Sequence, residues 1–131
     1  MAREYDDDAV PSVYNVEDIP GMEVAGGSTM KVFRGLDLML GFSSLDPDLD
    51  ELSAYSHPWE QITFVREGTC EVLIGDETTT AEAGDVFAVP PDVDHAVRPT
   101  SEERCELIDF WPLVENYLDQ TAYQDEFADA E

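Results

Sequence analysis

The chain predicts an all-β domain, a small barrel or sandwich closed by a short helical segment near its C-terminus. Three observations lead there. Runs rich in Val, Ile, Phe and Thr recur about every 8–12 residues. Gly, Pro and Asp pairs punctuate them, as reversals require. Only residues 113–123 read as a short helix. At 131 residues the length suits one domain, large enough to bury an ordinary core.

In chain order, residues 1–12 form an acidic N-terminal extension and residues 12–19 are expected to start an edge strand. Residues 20–28 are turn-rich, with Gly26-Gly27 as the reversal. Residues 30–34 and 36–43 read as two strands, with Gly35 as a bend or bulge between them. Residues 45–51 form an acidic loop. Short strands follow at 61–66, 70–74, 78–81, 86–89, 96–98 and 105–110. Their turns fall at Glu67-Gly68, Gly75-Asp76, Gly84-Asp85 and Pro90-Pro91. The expected division is extension 1–12, barrel 13–118 and acidic tail 119–131.

The charge is extreme. Acidic residues number 31 and basic residues 6, a formal net charge of −25, and Lys31 is the only lysine. Nucleic acid is excluded as a partner class, because Lys and Arg supply most of that affinity. Anionic membrane surfaces are disfavoured for the same reason. No apolar run approaches the roughly 20 residues of a membrane span. The N-terminus lacks the apolar core of a secretory signal, so a cytoplasmic location is expected. Acidic tails on an ordinary domain would explain part of the charge. Acids also occupy the body, at Asp46, Asp48, Asp50, Glu51, Asp92 and Asp94. That distribution is similar to proteins of extreme halophiles, where molar salt screens self-repulsion to within about 3 Å. Cys70 and Cys105 sit in apolar runs and are expected as buried, reduced thiols.

Two histidines exist, His57 and His95. Alternation along an extended segment points Tyr55 and His57 the same way, and gives Gln61, Thr63 and Val65 one face of the next strand. His95 follows the Pro90-Pro91 turn on a strand that must close the barrel. A small barrel has room inside for side chains or for one small ligand. Two imidazoles and an amide oxygen converging there make a plausible set of metal donors. The plainer reading is a barrel interior whose polar groups bond to one another and to water. Glu60 has the opposite parity and reads as a surface charge, Trp59 as packing or pocket rim, and Asp92 and Asp94 as solvated loop charges. A pocket-facing arginine among Arg34, Arg66 and Arg98 would select a carboxylate. For Arg66 a surface ion pair is the expectation.

The segment Tyr55-Ser56-His57-Pro58-Trp59-Glu60-Gln61, with Gly68 after six further residues, resembles the first motif of the cupin family. Gly84, Pro90 and His95 resemble the second, with Asp92 where the family usually has Gly. The resemblance spans roughly residues 30–118. It implies a double-stranded β-helix, or jelly-roll barrel, and a metal site in which His57, Gln61 and His95 are the ligand candidates. Tyr55 stands where the family places its first histidine. The metal implied is divalent, one of Zn, Ni, Fe, Mn or Cu, and a neutral donor set does not choose among them. Tyr55 could ligate, fill the pocket, or serve as an acid/base catalytic group.

The pattern also looks like short single-domain cupins, some of which open or linearise unsaturated uronate sugars. Phe110, Pro112, Glu115 and Tyr117 fit that group's tail, while Val114 stands in place of an arginine. Two functions follow. One is a metal-dependent enzyme on a small polar molecule, such as a sugar acid or keto acid. The other is a metal-free cupin that binds a small molecule without catalysis. The resemblance further implies a homodimer, with residues 36–42 as an isologous interface.

Overall fold

Side chains on a strand alternate sides, so every strand here offers one row to the interior and one to the outside. The computed structural model describes residues 13–24, 27–48 and 54–124. Nine strands are present among them: β1 Met22–Glu23, β2 Thr29–Arg34, β3 Leu38–Leu45, β4 Gln61–Glu67, β5 Thr69–Ile74, β6 Glu77–Glu82, β7 Val86–Val89, β8 His95–Pro99 and β9 Cys105–Pro112. They form two antiparallel sheets, one in the order β1-β2-β3-β9-β4-β7 and the other β6-β5-β8. Consecutive strands repeatedly switch sheets, which folds the chain into the expected jelly-roll barrel.

The strands at 61–66, 70–74, 78–81, 86–89, 96–98 and 105–110 are present, most of them one or two residues longer. Their turns need backbone that only some residues tolerate. Gly68, Gly75 and Gly84 have φ of 90°, 62° and 99°, in the left-handed region that glycine enters without penalty. At Gly68 a Cβ would also lie 2.8 Å from the Arg104 carbonyl oxygen. The expected edge strand at 12–19 is instead a 3-10 turn, Val16–Asp18. The Asn15 side chain accepts the Glu17 N–H at 2.8 Å and so offers the backbone a local cap in place of a strand partner. Gly35 bends the chain between β2 and β3, its N–H bonding to the Leu38 carbonyl. The bulge lies on β4, where the pairing with β9 slips between Val65 and Glu67. Residues 1–12, Gly26 of the expected reversal, 49–53 of the acidic loop and 125–131 of the acidic tail lie outside the described residues.

The core has two parts. Val65, Cys70, Val72, Ala81, Cys105 and Leu107 fill the space between the sheets. Both cysteines are free and buried. Burial pushes the Cys70 thiol up to about 12 and raises Cys105 as well. Val32, Met39 and Trp111 form a second cluster, covered by Trp59, Leu113, Tyr117 and Leu118. The outer end of the Trp111 indole abuts Gly41, where a Cβ would collide with the ring.

The C-terminal segment is a 3-10 helix, Glu115–Thr121. It is followed by a strap onto β2. The Tyr123 hydroxyl donates to the Val32 carbonyl at 2.6 Å. The buried Gln124 amide bonds both the N–H and the C=O of Arg34, at 2.9 and 3.0 Å. The strap thereby satisfies edge groups of β2 that the two-residue β1 is too short to reach. No helix among the described residues is long and apolar enough to cross a membrane.

Candidate functional site

The inner faces of β3, β4 and β9 meet at one end of the barrel. Cys105, Leu107, Asp109 and Trp111 point inward from β9. Thr63 pairs with Asp109 across β4 and β9, and Gly41 pairs with Asp109 across β3 and β9. Gln61, at the start of β4, shares the inward face of Thr63. The extended segment before β4 carries Tyr55 and His57. It is tied to β8 by a single antiparallel bridge, Tyr55 to His95, with bonds of 3.2 and 2.9 Å. It is tied to the loop before β8 by the Asp92 N–H, which donates to the His57 carbonyl at 2.8 Å. Asp92 has φ of 64°. That left-handed backbone explains why Gly is usual at this position, and Asp tolerates it better than most residues.

These ties bring all the expected donors together. The His57 and His95 ring centres are 4.8 Å apart, and Tyr55 lies 4.7 Å from His95 and 6.3 Å from His57. Tyr55 is 60% exposed and forms part of the mouth. Trp59 stacks on His57 at 4.4 Å and meets Tyr117 edge-on at 6.2 Å, so it acts as packing and rim. Glu60, Asp92 and Asp94 are exposed, as expected for surface charges. Phe110, read above as part of a tail motif, faces outward. Its neighbour Trp111 takes the inward place.

The hydrogen bonds set the chemistry. His57 Nδ1 lies 2.9 Å from the Trp59 carbonyl, and His95 Nδ1 lies 3.0 Å from the Val93 carbonyl. A carbonyl only accepts, so each Nδ1 carries the proton and each Nε2 of the neutral ring presents a lone pair. Burial holds His95 below its ordinary pKa, against the pull of the Val93 carbonyl. The neutral form is therefore favoured there. The Gln61 amide is oriented by its partners. Its NH2 donates to Thr63 Oγ1 at 3.0 Å and reaches Asp109 Oδ1 at 3.4 Å, which leaves Oε1 facing His57 Nε2 at 3.2 Å. His57 Nε2 and Gln61 Oε1 thus face each other as acceptors, and His95, whose ring centre lies 4.8 Å from that of His57, leaves its buried Nε2 unpartnered among the described residues; such a set fits a cation. Among the described residues no three His, Cys, Asp or Glu side chains gather as a metal cluster. The third donor here is an amide.

Asp109 is the residue that sequence reasoning missed. It is 7% exposed and accepts from Thr63 at 2.7 Å and from Ser43 at 3.0 Å. Burial pushes its carboxyl up to about 6, although the Thr63 and Ser43 hydroxyls and the nearby His57 pull the other way. The phenols of Tyr55 and Tyr117 are raised by burial first and by Asp109 second, so both are proton-bearing at neutral pH. The signal was present in the alternation of residues 105–111, where one acid interrupts an otherwise inward apolar row.

The comparisons agree with this architecture. A family model described as a cupin domain matches residues 41–111. An uncharacterised protein of Streptomyces coelicolor is 29% identical over 86 residues, covering 66% of this chain and 81% of that protein. An RmlC-like cupin from Shewanella frigidimarina superposes with a TM-score of 0.70 at 24% identity, over 80% of this chain and 93% of its own. KdgF from a Halomonas species does so with a TM-score of 0.70 at 21% identity, over 80% and 96%. At these identities the two structures speak for the fold alone.

Proposed function

The chain belongs to the cupin family, and on that premise we propose that His57, Gln61 and His95 hold a single divalent metal at which a small polar molecule, such as a sugar acid or keto acid, is bound and turned over. One observation supports this: His57 Nε2 and Gln61 Oε1 confront each other as acceptors at 3.2 Å beside the unpartnered Nε2 of His95, with the imidazole and amide protons committed elsewhere. A ligating histidine nearly always donates its second ring N–H to a carbonyl or carboxylate, and both histidines do so. Asp109 and Thr63 play the corresponding part for Gln61. When bound, such a metal polarises a carbonyl or hydroxyl oxygen of the small molecule.

The chain's own residues supply the rest. Tyr55 stands at the mouth with its proton retained and is the proposed acid/base group. Asp109 holds the Gln61 amide in place and places a carboxyl behind it. Trp59, stacked on His57 and met edge-on by Tyr117, forms one wall of the site.

The test is elemental analysis of protein purified in molar KCl without a metal-affinity tag, with His57→Ala and His95→Ala alongside. Near-stoichiometric divalent metal in the wild type, lost in both variants, is the expected result. Tyr55→Phe should keep the metal and lose turnover of uronates or keto acids.

A second reading, a metal-free cupin that binds a small molecule without catalysis, is favoured by Tyr55 standing in a histidine's place, which leaves the donor set neutral and one short. Wild-type protein that stays metal-free after loading, but is stabilised by a small molecule in a thermal-shift screen, would support that reading and sink the first.

A further inference from the structure

Basic residues number 6 in the whole chain, and two of them share one hollow at the end of the larger sheet where β2 begins and β4 ends. The strand register lays out its surroundings. Thr29, Ser44, Glu106 and Glu67 line up across β2, β3, β9 and β4, and Lys31 pairs with Phe42 in the next outward row. Arg66 enters at the β4 bulge, where a slipped register re-aims a side chain. The 3-10 turn Val16–Asp18 adds Glu17. The hollow measures about 280 Å³, near the lower end of ordinary small-molecule pockets. None of His57, Gln61 and His95 lines it.

Five charges of both signs therefore face one space: Lys31, Arg66, Glu17, Glu67 and Glu106. Among the described residues no opposite pair of them comes within ion-pair distance. The surface ion pair expected for Arg66 is thus not formed there. Two of the five are half-buried and held in place. Lys31 Nζ donates to the Val16 carbonyl at 2.8 Å, which leaves two of its three N–H donors. Glu106 Oε1 accepts from the Ser44 hydroxyl at 2.9 Å, and that hydroxyl in turn accepts from Arg104 Nε at 2.8 Å. Its other carboxylate oxygen keeps its lone pairs. A cation and an anion are thus fixed in advance across a hollow, and ordering them costs an arriving ligand little.

We propose that this hollow binds a small zwitterion, an α-amino acid with a short side chain, its carboxylate toward Lys31 and Arg66 and its ammonium toward Glu106. Charge narrows the choice. A simple anion meets three carboxylates as well as two cations, on a body of formal charge −25, and is repelled. A simple cation meets Lys31 and Arg66. A neutral molecule uses neither set. A zwitterion makes a charge-assisted hydrogen bond at each end, and its own charges cancel in the field of the whole body. Val16 and Phe42 offer apolar surface for the short side chain. Partly exposed ion pairs are individually weak, so the affinity falls in the millimolar range.

The experiment is amide NMR of the full isotope-labelled chain, titrated with L-alanine to about 100 mM, which covers millimolar binding. Acetate and methylammonium chloride are the single-charge controls. The titration is run in molar KCl and again at the lowest KCl concentration that leaves the circular-dichroism spectrum unchanged. L-Alanine should give saturable shifts at Lys31, Phe42 and Arg66, and each control should move them about a tenth as far or less. Lys31→Met and Glu106→Gln should each weaken binding roughly fivefold or more, the worth of one such ion pair. Arg66→Gln changes an exposed side chain and should weaken it too, which keeps the test decisive if either of the others fails to fold. No saturable shift at either salt concentration, shifts confined to the surroundings of His57 and His95, acetate acting as strongly as alanine, or variants that bind like the wild type would overturn the inference.

Discussion

Replacing Asp109 with Asn changes one oxygen to an NH2 group in a buried network and removes a titrating group. Asp109 titrates near 3.8 as an unperturbed carboxyl and is pushed up to about 6 in the folded barrel. A carboxyl raised in the native state keeps its proton longer there than in the unfolded chain. Its contribution is thus fully present below about pH 4 and is lost as pH rises through about 6. The gap between 3.8 and about 6 corresponds to about 3 kcal/mol, at 1.36 kcal/mol per pH unit. Asp109→Asn has no such loss. Its amide oxygen can still accept from Thr63 and Gln61, and the Ser43 hydroxyl can rotate to accept from the new NH2. Relative to wild type, metal-free Asp109→Asn should therefore gain about 2 kcal/mol between pH 4.5 and pH 7.5, the rest of the roughly 3 kcal/mol falling below pH 4.5. The assay is denaturant unfolding of chelator-treated protein in molar KCl at several pH values, read as the difference between the two proteins so that the other acids cancel. A difference that does not change with pH, or that falls as pH rises, would refute the account of a buried carboxyl held neutral by desolvation.

Three further outcomes are expected. Gln61→Glu puts a carboxylate where the amide now lies 3.4 Å from Asp109; it should raise divalent-metal affinity by about tenfold in calorimetric titration, the difference between a charged and a neutral contact, while lowering metal-free stability at neutral pH. Gly41→Ala drives a Cβ to within 2.4 Å of the buried Trp111 ring and should cost about 1–3 kcal/mol by overpacking, with a change below 0.5 kcal/mol showing that the indole yields freely. Dialysis from molar KCl into dilute buffer should lower the melting temperature, because the charge of −25 is no longer screened; equal midpoints would remove the halophile reading.

Two different kinds of information made the fold legible. Turn residues with special backbone needs, such as Gly68 and Gly84, set where strands stop, and alternation within each strand set which residues share a side. Local rules therefore recovered the sequence of short strands. Motif spacing placed His57, Gln61 and His95 together, because all three flank reversals whose geometry leaves little choice. The misreading at residues 12–19 has the same origin: a single Asn15 side-chain bond outweighs β propensity where no strand partner is available.

What the sequence alone determined is an all-β barrel, with His57, Gln61 and His95 as its candidate donors. What only the tertiary structure decided is what surrounds them. Alternation along β9 marks Asp109 as an acid in an inward row, but its role comes from Ser43 and Thr63, 66 and 46 positions away. The outer hollow is assembled from residues of β2, β3, β4 and β9, each strand giving only part of a short run. Period-two alternation says that a strand has two faces. Only closure of the barrel says which face is buried, and so which carboxyl loses its water and which phenylalanines keep theirs.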